Sequence, residues 1–200
     1  MANSCYNLLE IWGNAQVIEQ VREWNKALDT VDVPSEDVHR MGATRRVFFP
    51  GTPDTQPLDL GSKWVHPDSE STGSDDESLG LQSAWCRPEE LEKRIACLLF
   101  QLDPNVFIRN SFNIDDGTEG IAYTLAISAT EAVSVEASAN FNFDDLDEDD
   151  VEAEEESRRE EYQEEATDLI SDLVYSYPHV KSTVKAHQLE LGLDDEFFED

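Results

Sequence analysis

A chain of 200 residues holds one domain with a real core and room for an appendage. Its 45 acidic residues against 14 basic ones give a net charge of −31, which argues against direct contact with nucleic-acid phosphates or anionic membranes. Three cysteines, Cys5, Cys86 and Cys97, without paired or metal-ligand spacing argue against a disulfide framework and for a reducing host cytoplasm.

Residues 5–13, CYNLLEIWG, read as a strand ending at Gly13. The opening lacks a basic region or the apolar run of a signal peptide, and no later segment reaches the roughly 18 apolar residues of a membrane span. Asn14 offers an N-cap to a helix in which Val17, Ile18, Val21, Trp24 and Leu28 recur at helical spacing. Residues 29–45 read as a loop, RRVFFP (45–50) as a short strand, and the proline-rich segment after it as a second loop. SKWVH (62–66) and LGLQSAW (79–85) read as strands, separated by a polar insertion at 67–78 that is expected to be mobile.

Residues 87–104 give the clearest helix, with Pro88, Glu89 and Glu90 at its start and Leu91, Ile95, Leu98, Leu99 and Leu102 on one face. Cys97 on that helix, and Cys5 on the first strand, read as core. Strands follow at 105–114, 119–128 and 132–143, the first two joined by a hairpin turn at Asp115-Asp116-Gly117. In the third, Val133, Val135, Ala137, Ala139, Phe141 and Phe143 alternate with Ser, Glu and Asn, which predicts an antiparallel sheet with one solvated face. The domain expected from these elements is an α+β sandwich over 1–143.

The rest of the chain is strongly acidic, with fourteen carboxylates and two arginines between Asp144 and Glu165. Tyr162, Ala166, Leu169, Ile170, Leu173, Val174 and Tyr177 form a helical stripe, so 144–178 reads as an acidic amphipathic helix packed on the domain. Residues 179–200 read as an acidic, partly disordered tail.

The element order strand–helix–strands–helix–strands suggests a ferredoxin-like sandwich with an antiparallel sheet. Short motifs add to this. CYNLLEIWG, Gly61-Ser62-Lys63-Trp64, Ala84-Trp85 with Pro88, and Gly117 with Gly120 resemble, in that order, segments of the YubB-type ferredoxin-like proteins of phages and conjugative plasmids. The resemblance covers about residues 5–125, with a gap at the polar insertion, and a tyrosine follows Cys5 where the family has none. It implies the ferredoxin-like fold and a mobile-element origin, and it implies no activity.

Read from Asp145, acids fall at positions 1, 3, 5 and 12 of an EF-hand-like loop, but Asp150 stands where the sharp turn needs glycine. Weak, diffuse binding of divalent cations is the expectation, without a resident metal or cofactor. His39, His66, His179 and His187 are scattered, and Trp64 and Trp85 read as core aromatics rather than a ligand platform. No catalytic constellation emerges, so the expected protein is not an enzyme. The leading expectation is a mobile-element accessory protein, with a possible anti-defence role, that binds a basic, nucleic-acid-binding host protein. Asp144, Asp145, Asp147, Glu148, Asp149, Asp150, Glu154, Glu155 and Glu156 would stand in for DNA phosphates. The alternative is a structural or interaction domain adapted to a salt-rich cytoplasm, whose acids serve solubility. A third is a small-ligand or cation-binding module that uses the sheet or the acidic loop.

Overall fold

Side-chain alternation sets the strands. The computed structural model describes residues 3–29, 42–52, 58–68, 77–142 and 148–198. β1, Ser4–Trp12, buries Cys5, Asn7, Leu9 and Ile11 on one side and directs Tyr6, Leu8, Glu10 and Trp12 to the other. Asn14 caps α1, Ala15–Asp29, its Oδ1 accepting the N–H of Gln16 at 2.9 Å and of Val17 at 3.2 Å. Val17, Val21, Trp24 and Leu28 bury the apolar face of α1.

The expected strand at 45–50 is instead part of a helix, α2, Gly42–Phe48. Thr44 and Phe48 are four apart and both buried, a helical spacing that the short apolar run VFF disguises. The Phe48 ring meets Trp24 edge-on at 5.0 Å, and Thr44 Oγ1 donates to the Val65 carbonyl at 2.9 Å. β2, Val65–Pro67, starts later than the expected strand at 62–66, and β3 spans Ser78–Ala84. The rest of the expected mobile insertion, 69–76, lies outside the described residues, as does most of the expected first loop, 30–41.

α3, Glu89–Leu99, buries Leu91, Glu92, Ile95, Ala96 and Leu99, while Leu98, expected inside, is 38 % exposed. The stripe turns by one residue because Glu92, not Leu98, faces the sheet. β4, Phe107–Ile114, β5, Thr118–Ser128, and β6, Glu131–Asn140, complete one antiparallel sheet in the order β2-β3-β1-β4-β5-β6. β1 lies between β3 and β4 and is antiparallel to both, so the β3–α3–β4 connection crosses over it. The β1–β2 connection, with α1 and α2, crosses over β3 in the same way. Two interleaved crossovers make the ferredoxin-like core, which β5 and β6 extend at one edge. Gly120 in β5 is required by the ring of Phe112, since a Cβ there would fall 2.0 Å from Cζ.

The helices α1, α2 and α3 cover one face of the sheet through Leu9, Ile11, Leu79, Leu81 and Ile108. The other face, expected to be solvated, is half covered. α4, Glu148–Ser176, lays Ala166, Ile170, Leu173 and Val174 over Tyr123, Leu125 and Ala137. A 3-10 turn at Pro178–Val180 and α5, Lys181–Ala186, continue the cover, and His187 stacks on Trp12 at 4.8 Å. The described part of the expected disordered tail packs as well. Leu191, Leu193 and Phe198 are buried in the same cluster, because that half of the sheet presents apolar side chains that need a cover.

Candidate functional site

The nine acids singled out in the sequence divide into three groups. Asp144, Asp145 and Asp147 lie outside the described residues. Glu148, Asp149 and Asp150 form the first turn of α4, with side chains outside the described set. Glu154 and Glu155 are half-buried and Glu156 is exposed. Glu154 accepts from Arg158 Nε at 2.8 Å and Glu155 from Arg159 Nη2 at 3.0 Å, both one helical turn apart. An EF-hand loop over 145–156 is incompatible with this arrangement, because residues 148–156 are helical.

The outward face of α4 carries a longer array that the sequence reading did not single out. Glu156, Glu160, Glu164, Asp168 and Asp172 are all exposed and fall four residues apart, with Glu161 and Glu165 beside them. A four-residue step turns about 40° on an α-helix, so these carboxylates wind across the solvent side of α4, from Glu156 near its edge to Asp172, as one acidic ridge. Seven charges lie within sixteen residue rises, about 24 Å, or roughly one every 3.5–4 Å. One strand of duplex DNA carries a phosphate per about 3.4 Å of helix axis, and both strands together one per about 1.7 Å. Both arginines of the segment are engaged by Glu154 and Glu155, and none of the seven is ion-paired among the described residues.

A second constellation lies under α3 and was also missed. Glu92 has no exposed surface, and Arg87 is 6 % exposed. The Glu92 carboxylate receives Arg87 Nη1 at 2.6 Å, Asn110 Nδ2 at 2.8 Å and Thr124 Oγ1 at 3.2 Å. Arg87 also bonds the Glu136 carboxylate through Nε and Ser134 Oγ at 3.1 Å. Asn110 continues to Asn7 at 3.1 Å, and Asn7 to Ser83 Oγ at 2.9 Å. Burial pushes the Glu92 carboxyl above its ordinary range, while Arg87, Asn110 and Thr124 pull against that shift. The network ties α3 to β1, β3, β4, β5 and β6, and it is closed to solvent except at Ser134 and Glu136.

Two motif segments converge at the start of α3. Ser62 Oγ donates to the Ala84 carbonyl at 2.9 Å and accepts the Ala84 N–H at the same distance. Gly61, with φ of +78°, sits where a Cβ would lie 3.0 Å from the amide nitrogens of Glu89 and Glu90, so only glycine fits. Trp64 is buried as expected, whereas Trp85 is 53 % exposed with a left-handed backbone, φ of 63°. Lys63 Nζ lies 5.5 Å from the centre of its ring.

Cys5 is buried as expected, Cys97 is only half-buried, and Cys86 is exposed. Burial raises all three thiols above their ordinary value, Cys5 to about 12, so none is an activated thiolate at neutral pH. Among the described residues no cluster of His, Cys, Asp and Glu is arranged to hold a metal ion, and no helix is long and apolar enough to cross a membrane.

Fold and site together define an α+β protein with a ferredoxin-like core, an extended antiparallel sheet and a long helix bearing an acidic ridge. Comparison with protein-family models, with curated proteins and with solved structures finds no match for the chain.

Proposed function

We propose that the protein is a non-catalytic accessory protein of a mobile element that docks a basic, nucleic-acid-binding host protein on the outer face of α4. The observation that carries this reading is the array Glu156, Glu160, Glu161, Glu164, Glu165, Asp168 and Asp172, whose charge density along the helix axis is close to that of one DNA strand and which has no cation partner among the described residues. Like charges one turn apart destabilise a helix. A ladder of five like charges in consecutive four-residue steps therefore opposes folding, and a partner that collects phosphates would relieve that repulsion. Occlusion of the partner's nucleic-acid site is the mechanism, and its strength falls steeply with salt. The segment resemblance to phage and plasmid proteins supports the mobile-element setting.

The test is competition. Host lysate passed over the immobilised protein at two salt concentrations yields the partner, and duplex DNA or heparin is expected to displace it. Replacing Glu156, Glu160 and Glu164 by Gln and Asp168 and Asp172 by Asn is expected to weaken binding by roughly fivefold or more, at about 0.2–1 kcal/mol per exposed pair. Retained affinity in that variant, with no displacement by DNA or heparin, would refute the reading.

The salt-adaptation reading draws support from acids exposed elsewhere, such as Glu19, Glu23, Asp115 and Asp116. It requires a melting temperature that climbs strongly between low and molar salt in both the native chain and the ladder variant.

A further inference from the structure

The uncovered half of the sheet ends in a trough of about 410 Å³ between β1, β4, β5 and Tyr162 of α4. Strand register sets its walls. Tyr6 pairs with Asn113, and Asn113 with Glu119, so the three side chains stand in one row across β1, β4 and β5. The row behind it is Leu8, Ser111 and Ile121. Neighbouring strands lie about 4.8 Å apart, so roughly 9.6 Å separates Tyr6 from Glu119, with Asn113 between them. Tyr6 is 43 % exposed, Asn113 is exposed, and Glu119 and Tyr162 are half-buried. Neither Glu119 nor the two phenols has a hydrogen-bond or ion-pair partner among the described residues.

That combination calls for a planar cation. A carboxylate supplies the counter-charge, two phenol rings supply faces for stacking, and the Asn113 amide and Ser111 hydroxyl supply acceptors. A row containing Leu8 and Ile121 suits an aliphatic stem. A guanidinium fits better than an ammonium, because it stacks on rings and offers five donors in a fixed fork. Arg109, on this face two residues from Ser111, is already engaged: Nη2 meets Glu10 at 2.5 Å, and Nη1 bonds the Glu190 carbonyl.

We infer that this trough receives an arginine side chain of the basic protein that docks on α4. Tyr162 lies on the sheet-facing side of α4 and Glu164, two residues on, on the other side, so a partner reaches trough and ridge together by lapping over the helix edge at exposed Glu165, one turn from Tyr162. The inference rests on the docking reading above. Within it, the ridge supplies long-range attraction and the trough supplies selection for arginine over lysine.

The experiment uses the full-length chain and two probes, an octa-arginine peptide and an octa-lysine peptide. Nα-acetyl-argininamide serves as a third, monovalent probe, followed by amide chemical shifts. Tyr6→Ala combined with Glu119→Gln is expected to weaken octa-arginine about tenfold, to change octa-lysine less than twofold, and to leave the salt slope unchanged. The ladder variant is expected to weaken both peptides alike and to flatten the slope. Acetyl-argininamide should shift the amides of 6–8, 111–113 and 119–121 in the native chain and in the ladder variant, but not in the trough variant.

Equal loss of both peptides in the trough variant, or acetyl-argininamide shifts confined to other residues, overturns the inference. A ladder variant that binds both peptides like the native chain overturns the docking reading instead, and the monovalent probe reports on the trough separately. Circular dichroism melts of both variants check folding. Tyr6→Phe provides the conservative control and should retain most octa-arginine binding, since the stacking face remains.

Discussion

Glu92 is fully buried, and three side chains donate to its carboxylate, the Arg87 guanidinium closest at 2.6 Å. Removing one partner of such a pair leaves an uncompensated charge in the core, at a typical cost of about 3–5 kcal/mol. Glu92→Ala and Arg87→Ala are each expected to lower unfolding stability by that order. The apolar pair Arg87→Met with Glu92→Leu is expected to recover most of it, and denaturant titration of the full double-mutant cycle checks the result. Glu92 was legible in principle. It falls three residues before Ile95 and four before Ala96, inside the buried stripe of α3, while Asn7, Asn110 and Thr124 take inward strand positions. A rule that credits a stripe only with apolar residues passes over it, which is why Leu98 was placed inside instead.

Cys5 and Tyr123 give the molecule an alkaline limit. Burial moves the Cys5 thiol from 9.0 to about 12 and the Tyr123 phenol from 10.0 to about 12. The unfolded chain releases these protons at the ordinary values, and the folded chain holds them. Stability is therefore full below about pH 9 and falls as pH rises towards 12, by up to about 1.4 kcal/mol per pH unit for each group. Tyr123→Phe and Cys5→Ala should each flatten the decline in denaturant melts taken between pH 8 and 11. An unchanged slope in both variants would show that other groups set the limit.

At the scale of elements, α4 combines a buried side that obeys helical spacing with an outer side that violates pairing rules. Replacing Glu160 and Glu164 by Gln removes like-charge neighbours worth about 0.2–0.5 kcal/mol each at low salt. The double variant is expected to melt higher than the native chain in dilute buffer and at the same temperature in molar salt. No rise in dilute buffer would mean that the ladder does not strain the helix. The inner stripe was readable because Ala166, Ile170, Leu173 and Val174 keep strict spacing over two turns. The outer ladder was not singled out, because fourteen acids in one segment hide which of them share a face until the arginines find partners at Glu154 and Glu155. α2 was misread for the opposite reason: seven residues hold too few turns for periodicity to outweigh the β-branched and aromatic run VFF.

For the whole molecule, the strand–helix order was enough to give the ferredoxin-like core, because right-handed crossovers that do not cross one another leave few ways to arrange these elements. It did not show which sheet residues the expected helix at 144–178 closes over, nor that residues 179–198 join the cover. That cover depends on Trp12 of β1 and, far along the chain, Phe107, Tyr123 and Leu125 of the β4–β5 hairpin, meeting residues 166–198. The core is thus shared across the boundary drawn at residue 143. A chain ending at 143 is expected to expose that cluster, to bind a hydrophobic dye and to associate in solution, which dye fluorescence and size-exclusion chromatography would report. A monomeric, dye-silent fragment would show that the first 143 residues are self-sufficient.

The strand at the middle of the sheet is the first to leave the ribosome. Ser4–Trp12 has no neighbour to bond with until Ser78–Ala84 has been made, and its other flank stays bare until Phe107–Ile114 follows. At about 5–20 residues per second, the nascent chain carries that unpaired backbone for roughly 4–15 s. Translation speed between these segments, and any chaperone waiting at the exit tunnel, therefore governs how many copies reach the native sheet instead of exchanging strands with a neighbour on the same polysome.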